Sequence, residues 1–214
     1  LLMLARYGKQ FAVVTKDGSL KSEAVGLVAE RDLLLNYAGF PTIIGEAIGC
    51  APDVTSLRRL RDRQEALILE YLHNRRSLVW LMEMIGILNR KLCARIVELA
   101  RETLARDGYG EPPCAFSWLM MGSGGRDELM IRSAVYHALV YEDVEAGQET
   151  AAKAYFIELG SRSAALLRRC GFLESPQQVL AQNPAWCLPL SALKERFSAM
   201  IERPVAEHVY SARD

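Results

Sequence analysis

The chain has 214 residues, half of them apolar, and its 26 acidic and 26 basic side chains cancel to no net charge. That is material for one large or two small domains with a sizeable core, and it offers no overall field to nucleic acid or an anionic membrane, so a DNA or tRNA partner is not indicated. Cys50, Cys93, Cys114, Cys170 and Cys187 stand singly, without metal-ligand spacing, which suits a reducing cytoplasm. No apolar run approaches the roughly 20 residues of a membrane span, and the opening LLMLARYGKQ lacks the length of a signal peptide. A cytoplasmic protein without membrane partners is expected.

In chain order, Gln10 to Thr15 and Ala24 to Val28 read as strands joined by a turn at Lys16-Asp17-Gly18-Ser19. Glu30 to Tyr37 reads as a helix closed by Gly39 and Pro41. The run Val25-Gly26-Leu27-Val28-Ala29-Glu30-Arg31-Asp32-Leu33-Leu34 resembles the closing strand and helix of a CBS motif. That resemblance implies an adenine-nucleotide ribose contact at Asp32, although Ala29 stands where the family has a Thr or Ser. Residues 1–50 are therefore expected to be a partial CBS motif, the surviving end of a longer regulatory region, with a plain hairpin and helix as the alternative.

Asp53 to Ala105 is expected to be helical, with Thr55 or Ser56 as N-cap and a break at His73-Asn74-Arg75-Arg76. Leu57, Leu60, Gln64, Leu67, Ile68, Tyr71 and Leu72 recur at spacings of three and four, leaving Arg58, Arg59, Arg61, Asp62, Arg63 and Glu65 to water. The second helix, Leu78 to Arg106, carries Leu81, Met84, Ile85, Leu88, Leu92, Ile96, Leu99 and Leu104. Acidic residues interleave with the basic run of the first helix and no aromatic platform accompanies it, so a nucleic-acid surface is not expected. Residues 51–110 form a helical connector in this reading.

The most informative stretch is Phe116 to Tyr141, FSWLMMGSGGRDELMIRSAVYHALVY. Phe116 to Met121 reads as a buried strand entering a Gly-Ser turn, Arg126 to Arg132 as about two helical turns, and Ala134 to Tyr141 as a second buried strand. Glycines let backbone N–H groups approach an anion, a phosphate-handling arrangement. Gly122, Ser123, Gly125, Arg126, Glu128, Ala138, Leu139, Val140 and Tyr141 resemble the core of the DNA polymerase beta superfamily of nucleotidyltransferases, in particular the domains associated with CBS motifs and related to protein-PII uridylyltransferases.

The resemblance implies that Gly122 and Ser123 hold a nucleotide's terminal phosphates, with Arg126 and Glu128 beside them. It also implies an Asp-x-Asp pair gripping magnesium, yet this chain has Ala134-Val135-Tyr136, and His137 where the family has Asn. Residues at i and i+2 of a strand share a face, and neither a methyl nor a neutral phenol replaces a carboxylate on magnesium. No catalytic residue is intact at Ala134 and Tyr136 and no metal site is expected. A relocated pair drawn from Asp127, Glu128, Glu142 and Asp143 is the alternative. The bland reading of the turn is that its glycines merely close it, with Arg126 paired to Glu128.

Farther along, Glu145 to Arg169 reads as an amphipathic helix with Ala152, Tyr155, Phe156, Leu159, Ala164 and Leu167 inward and a glycine cap after Cys170. Asn183-Pro184-Ala185-Trp186, with Leu190, Phe197, Ile201 and Pro204, matches the family's Asn-Pro-x-Trp signature, so the resemblance runs over Phe116 to Pro204. Pro176-Gln177-Gln178-Val179-Leu180 replaces a stretch where the family has paired glycines. The chain stops where the family continues into a further strand and helical domain.

The expected architecture is α+β: a nucleotidyltransferase-like mixed sheet with flanking helices over 111–214, preceded by the connector and the partial CBS motif. The expected function is a nucleotidyltransferase-fold signalling module that has lost catalysis and acts by protein contact or nucleotide sensing. The alternatives are an active transferase moving a nucleoside monophosphate from a nucleoside triphosphate to a protein acceptor, which alone would need magnesium and the triphosphate, and a ligand-free scaffold. The expected partners are a second copy through residues 53–106 and a protein acceptor or regulator.

Overall fold

The computed structural model describes residues 11–29, 41–73, 78–129 and 133–203. The chain divides into two compact units, Leu1–Ile43 and Ile44–Asp214. In the first, β1 (Phe11–Thr15) and β2 (Ala24–Ala29) pair antiparallel. The Asp17 carboxylate accepts the Ser19 N–H at 2.8 Å and Gly18 turns the chain with φ 81°, a conformation open to glycine. The helix expected over Glu30 to Tyr37, with Asp32, lies outside the described residues.

Pro41 was expected to close a helix and instead opens one, α1 (Pro41–Gly49), within which the division between the units falls. Proline suits a first helical position because the missing N–H would have no partner there. Ile44 and Ile48, one turn apart, are both fully buried. The connector forms as two helices, α2 (Val54–His73) and α3 (Leu78–Arg106). Asp53, rather than Thr55 or Ser56, caps α2: its carboxylate accepts the Ser56 N–H at 2.8 Å, a bond that holds the carboxyl below its ordinary pKa.

All eight apolar positions expected on the inner stripe of α3 are buried, as are Leu57, Gln64 and Ile68 of α2. Arg61 departs from the pattern: it is 5% exposed, with its guanidinium 3.6 Å from the Phe172 ring centroid and Nε 3.5 Å from Glu65. An aliphatic stem and an aromatic face let a cation enter a core that composition alone would deny it. Burial lowers its pKa.

The sheet is mixed. Its centre is β4 (Ala134–Tyr141), paired antiparallel to β3 (Phe116–Met121) on one edge. Along the other edge it pairs parallel with β5 (Leu173–Glu174) and then β6 (Cys187–Pro189). Val135, His137, Leu139 and Tyr141 face the helices, with Phe116, Trp118 and Met120 of β3. The opposite face carries Tyr136 and Ala138, which pack with Leu119, Met121, Val179 and Trp186.

Helix α5 (Glu149–Arg169) lies beside α3, and its Phe156 is fully buried among Phe116, Tyr141 and Tyr155. It starts four residues later than Glu145, because Gly147 (φ 94°) turns the chain and donates its N–H to Glu149 at 2.7 Å. It ends as expected. Gly171 (φ 94°) donates to Arg168 and Phe172 donates to Leu167, the paired bonds of a glycine-capped helix end. A last helix, α6 (Leu190–Glu202), buries no residue fully. Among the described residues no helix is long and apolar enough to cross a membrane.

Gly160 lets α5 touch the loop before β6: a Cβ there would fall 2.6 Å from the Ala181 carbonyl carbon. Backbone cannot rotate away as a side chain can, so Gly160→Ala is expected to cost about 1–3 kcal/mol and to lower the denaturant midpoint without changing the slope of the transition.

Candidate functional site: the glycine turn beside Tyr136

At the end of β3 the chain makes a single helical turn, α4 (Gly122–Gly125). Gly122 has φ 57°, and a Cβ on Gly125 would stand 2.8 Å from the Met120 carbonyl oxygen, so two of the glycines answer a backbone demand. The helix expected over Arg126 to Arg132 does not form at Arg126–Leu129, and residues 130–132 lie outside the described residues. Asp127 takes φ 59° and the Glu128 N–H donates back to the Ser123 carbonyl at 2.8 Å, closing the turn on itself. Arg126 Nε donates to Glu128 at 2.9 Å, both side chains half exposed.

One face of α3 holds this turn. A Cβ on Gly86 would lie 2.8 Å from the Asp127 Cβ, Asn89 donates to the Leu129 carbonyl at 3.2 Å, and Arg90 pairs with the Asp127 carboxylate. Asn89 in turn accepts from Gln64 of α2 at 3.3 Å. A cleft of about 360 Å³ lies between α3 and the turn, against Arg90, Cys93, Trp118, Met120 and Asp127. Gly124 and Gly125 line it; Ser123, Arg126 and Tyr136 do not.

Ladder register sets Met121, the residue before Gly122, opposite Tyr136, so the fold brings Gly122 and Ser123 to the same end of the sheet as Ala134 and Tyr136. The Tyr136 hydroxyl donates to Gln177 Oε1 at 2.7 Å. A methyl and a neutral phenol engaged as a donor do not fit magnesium, which takes charged oxygen ligands. Among the described residues no three His, Cys, Asp or Glu side chains gather to hold a metal ion. Of the other sequence-derived site residues, Arg126 and Glu128 are joined to each other and Asp32 lies outside the described residues.

The family model for putative nucleotidyltransferases, DUF294, matches residues 62–207. The chain belongs to that family. Comparison with curated proteins and with solved structures returned no match.

The family match takes in α3 and most of α2 as well as the sheet, so the helices that hold the turn belong to the same unit of sequence. Its Asn-Pro-x-Trp segment has a clear structural role. Asn183 accepts the Ala185 N–H at 3.0 Å through its side chain and donates to the Gln178 carbonyl at 3.0 Å, and the Trp186 N–H donates to the Asn183 carbonyl at 2.8 Å. This loop runs along the edge of β4 between its pairings with β5 and β6, where the His137 N–H donates to Val179 and the Leu139 N–H to Trp186. Gln178 adopts φ 59°, the left-handed region that glycine enters without strain.

Sequence reasoning missed Arg196, which lies over Trp186 with 4.0 Å from its guanidinium carbon to the ring centroid. It also missed Gly86, Asn89 and Arg90 as supports of the turn. A polar Asn89 beside the apolar Leu88 and Leu92 was the available signal.

His137 is packed, 2% exposed, stacked on Trp118 at 4.6 Å, with Nδ1 accepting the Ala181 N–H at 2.9 Å. Burial pushes its pKa from 6.5 down to about 4. The unfolded chain therefore takes up a proton that the fold refuses. This group's contribution is present in full above about 6.5, is lost as pH falls from there through about 4, and amounts to about 3 kcal/mol. His137→Asn keeps an acceptor for Ala181 without a titrating ring. Denaturant unfolding at pH 7 and pH 4.5 is expected to show a stability difference smaller by about 2–3 kcal/mol in the variant than in the parent.

Proposed function

We propose that this member of the nucleotidyltransferase family is a signalling module, related to protein-PII uridylyltransferases, that has lost two-metal catalysis and acts by sensing a nucleotide or contacting a protein. The observation that carries this reading is Tyr136. Its phenol and the Ala134 methyl occupy one face of β4 beside the Gly-Ser turn, and Gln177 secures the phenol at 2.7 Å. Transfer of a nucleoside monophosphate needs charge on the metals to offset charge developing on the phosphates. Neither residue supplies a ligand for it. The glycine turn is retained, which supports continued binding of a nucleotide's phosphates without turnover. In this reading residues 1–50 are a partial CBS motif and residues 51–110 its connector to the domain at 111–214.

The test is calorimetric titration of ATP and UTP, with and without magnesium, into the parent chain and into the Ala134→Asp/Tyr136→Asp double variant. Magnesium is expected to tighten binding at least tenfold in the double variant and to leave the parent unchanged. Equal magnesium dependence in both chains would mean that carboxylates elsewhere hold the metal, and the active transferase would replace this reading.

A homodimer through the helical connector is part of the proposal. Leu69 and Leu72 of α2 and Leu78 and Val79 of α3 are exposed near the break between the helices, with Leu69 at 61% and Val79 at 70%. Such clustered apolar surface supports pairing with a second copy. A Leu69→Glu/Val79→Glu variant is expected to sediment as a monomer at concentrations where the parent is a dimer; a parent that is itself monomeric would remove the dimer from the proposal.

A further inference from the structure

The cations near the turn are already committed. Arg126 is joined to Glu128, and Arg90 to Asp127. Arg196 of α6 is different. Its guanidinium is partly buried and stacked on the Trp186 indole, and it donates one N–H to the Ala185 carbonyl. Among the described residues no carboxylate pairs with it, and burial alone accounts for the lowering of its pKa. Trp186 packs in turn with Ala138, Val179, Leu119, Met121 and Tyr136, so the cation rests on the same side of the sheet as the phenol and the end of β3 from which the glycine turn departs.

An arginine seated over an indole and bonded to a backbone carbonyl is pre-oriented. Its planar fork has N–H donors beyond the one given to Ala185, and little side-chain entropy is left to lose when an anion arrives. Phosphate oxygens match that fork, and charge-assisted bonds of this kind are about twice as strong as neutral ones. A nucleotide bound without magnesium still brings several negative charges that something must offset. We propose that Arg196, stacked on Trp186, is the residue that binds the phosphate chain of a nucleotide on this face and supplies in place of metal the positive charge that the Ala134 and Tyr136 positions no longer gather. The ligand it reads is the polyphosphate rather than the base. This inference rests on the nucleotide-sensing reading above.

The experiment is calorimetric titration of ATP, UTP and inorganic triphosphate, all with metal chelated, into the parent chain and into Arg196→Gln, Arg196→Lys and Arg106→Gln. Thermal midpoints and near-ultraviolet circular dichroism confirm that each variant is folded. The parent is expected to bind all three ligands with similar affinity, Arg196→Gln to bind each at least tenfold more weakly, and Arg196→Lys to fall between, because an ammonium keeps the charge and loses the fork. Arg106→Gln, at the far end of α3, is expected to change binding less than threefold. Nucleotide binding that Arg196→Gln leaves intact would overturn the role of Arg196 while sparing the sensing reading. Binding of nucleotides but not of inorganic triphosphate would overturn recognition through phosphate. A parent that binds none of the three would sink the sensing reading itself, and this inference with it.

Discussion

Alternation along β4 is the constraint on which the rest of the structure depends. Each second side chain of Ala134–Tyr141 must satisfy the helices and each intervening one the opposite face, while the backbone pairs with β3 on one edge and with β5, β6 and the intervening loop on the other. Val135, Leu139 and Tyr141 meet that demand with apolar surface, and His137 meets it by surrendering its charge. A shift of one residue would send the phenol of Tyr136 into the helices and His137 outward. Apolar burial on one face thus fixes which residues the candidate site receives on the other.

The same constraint sets the surroundings of Ala134 and Tyr136. Ala134 and Tyr136 lie on the side that α3 and α5 do not cover, where Tyr136 exchanges a solvent contact for a bond to Gln177. Catalytic carboxylates in such a position stand close to each other and repel when no metal is present. A methyl and a hydrogen-bonded phenol at this spacing carry no such repulsion.

Much of this was legible in the sequence because the signals were long or strongly periodic. The α2 and α3 stripes repeat over several turns, and the two apolar runs of β3 and β4 flank a glycine cluster, so element types and most boundaries could be read directly. The segment after the turn could not. Arg126 to Glu128 has the polarity of an exposed helix, but the Glu128 N–H is taken by Ser123 and Asp127 is pulled into a left-handed conformation against Gly86 and Arg90 of α3. Arg61 was misplaced for a similar reason, since the ring that receives it, Phe172, is far away in sequence. Arg196 and Trp186 are likewise a tertiary pair that no local pattern announces. The α+β class was readable; the partners that give particular polar residues their roles were not.

Helix α3, 29 residues and so about 44 Å long, touches the turn through Gly86, Asn89 and Arg90 in its first half and middle and meets the aromatic core around Phe156 through Ala100 and Leu104 near its C-terminal end. It works as a lever whose load is the glycine turn. Because both contacts are close packing, the turn cannot be repositioned independently of the helix: a twist or slide of α3 is delivered to Asp127 and Leu129 with little slack.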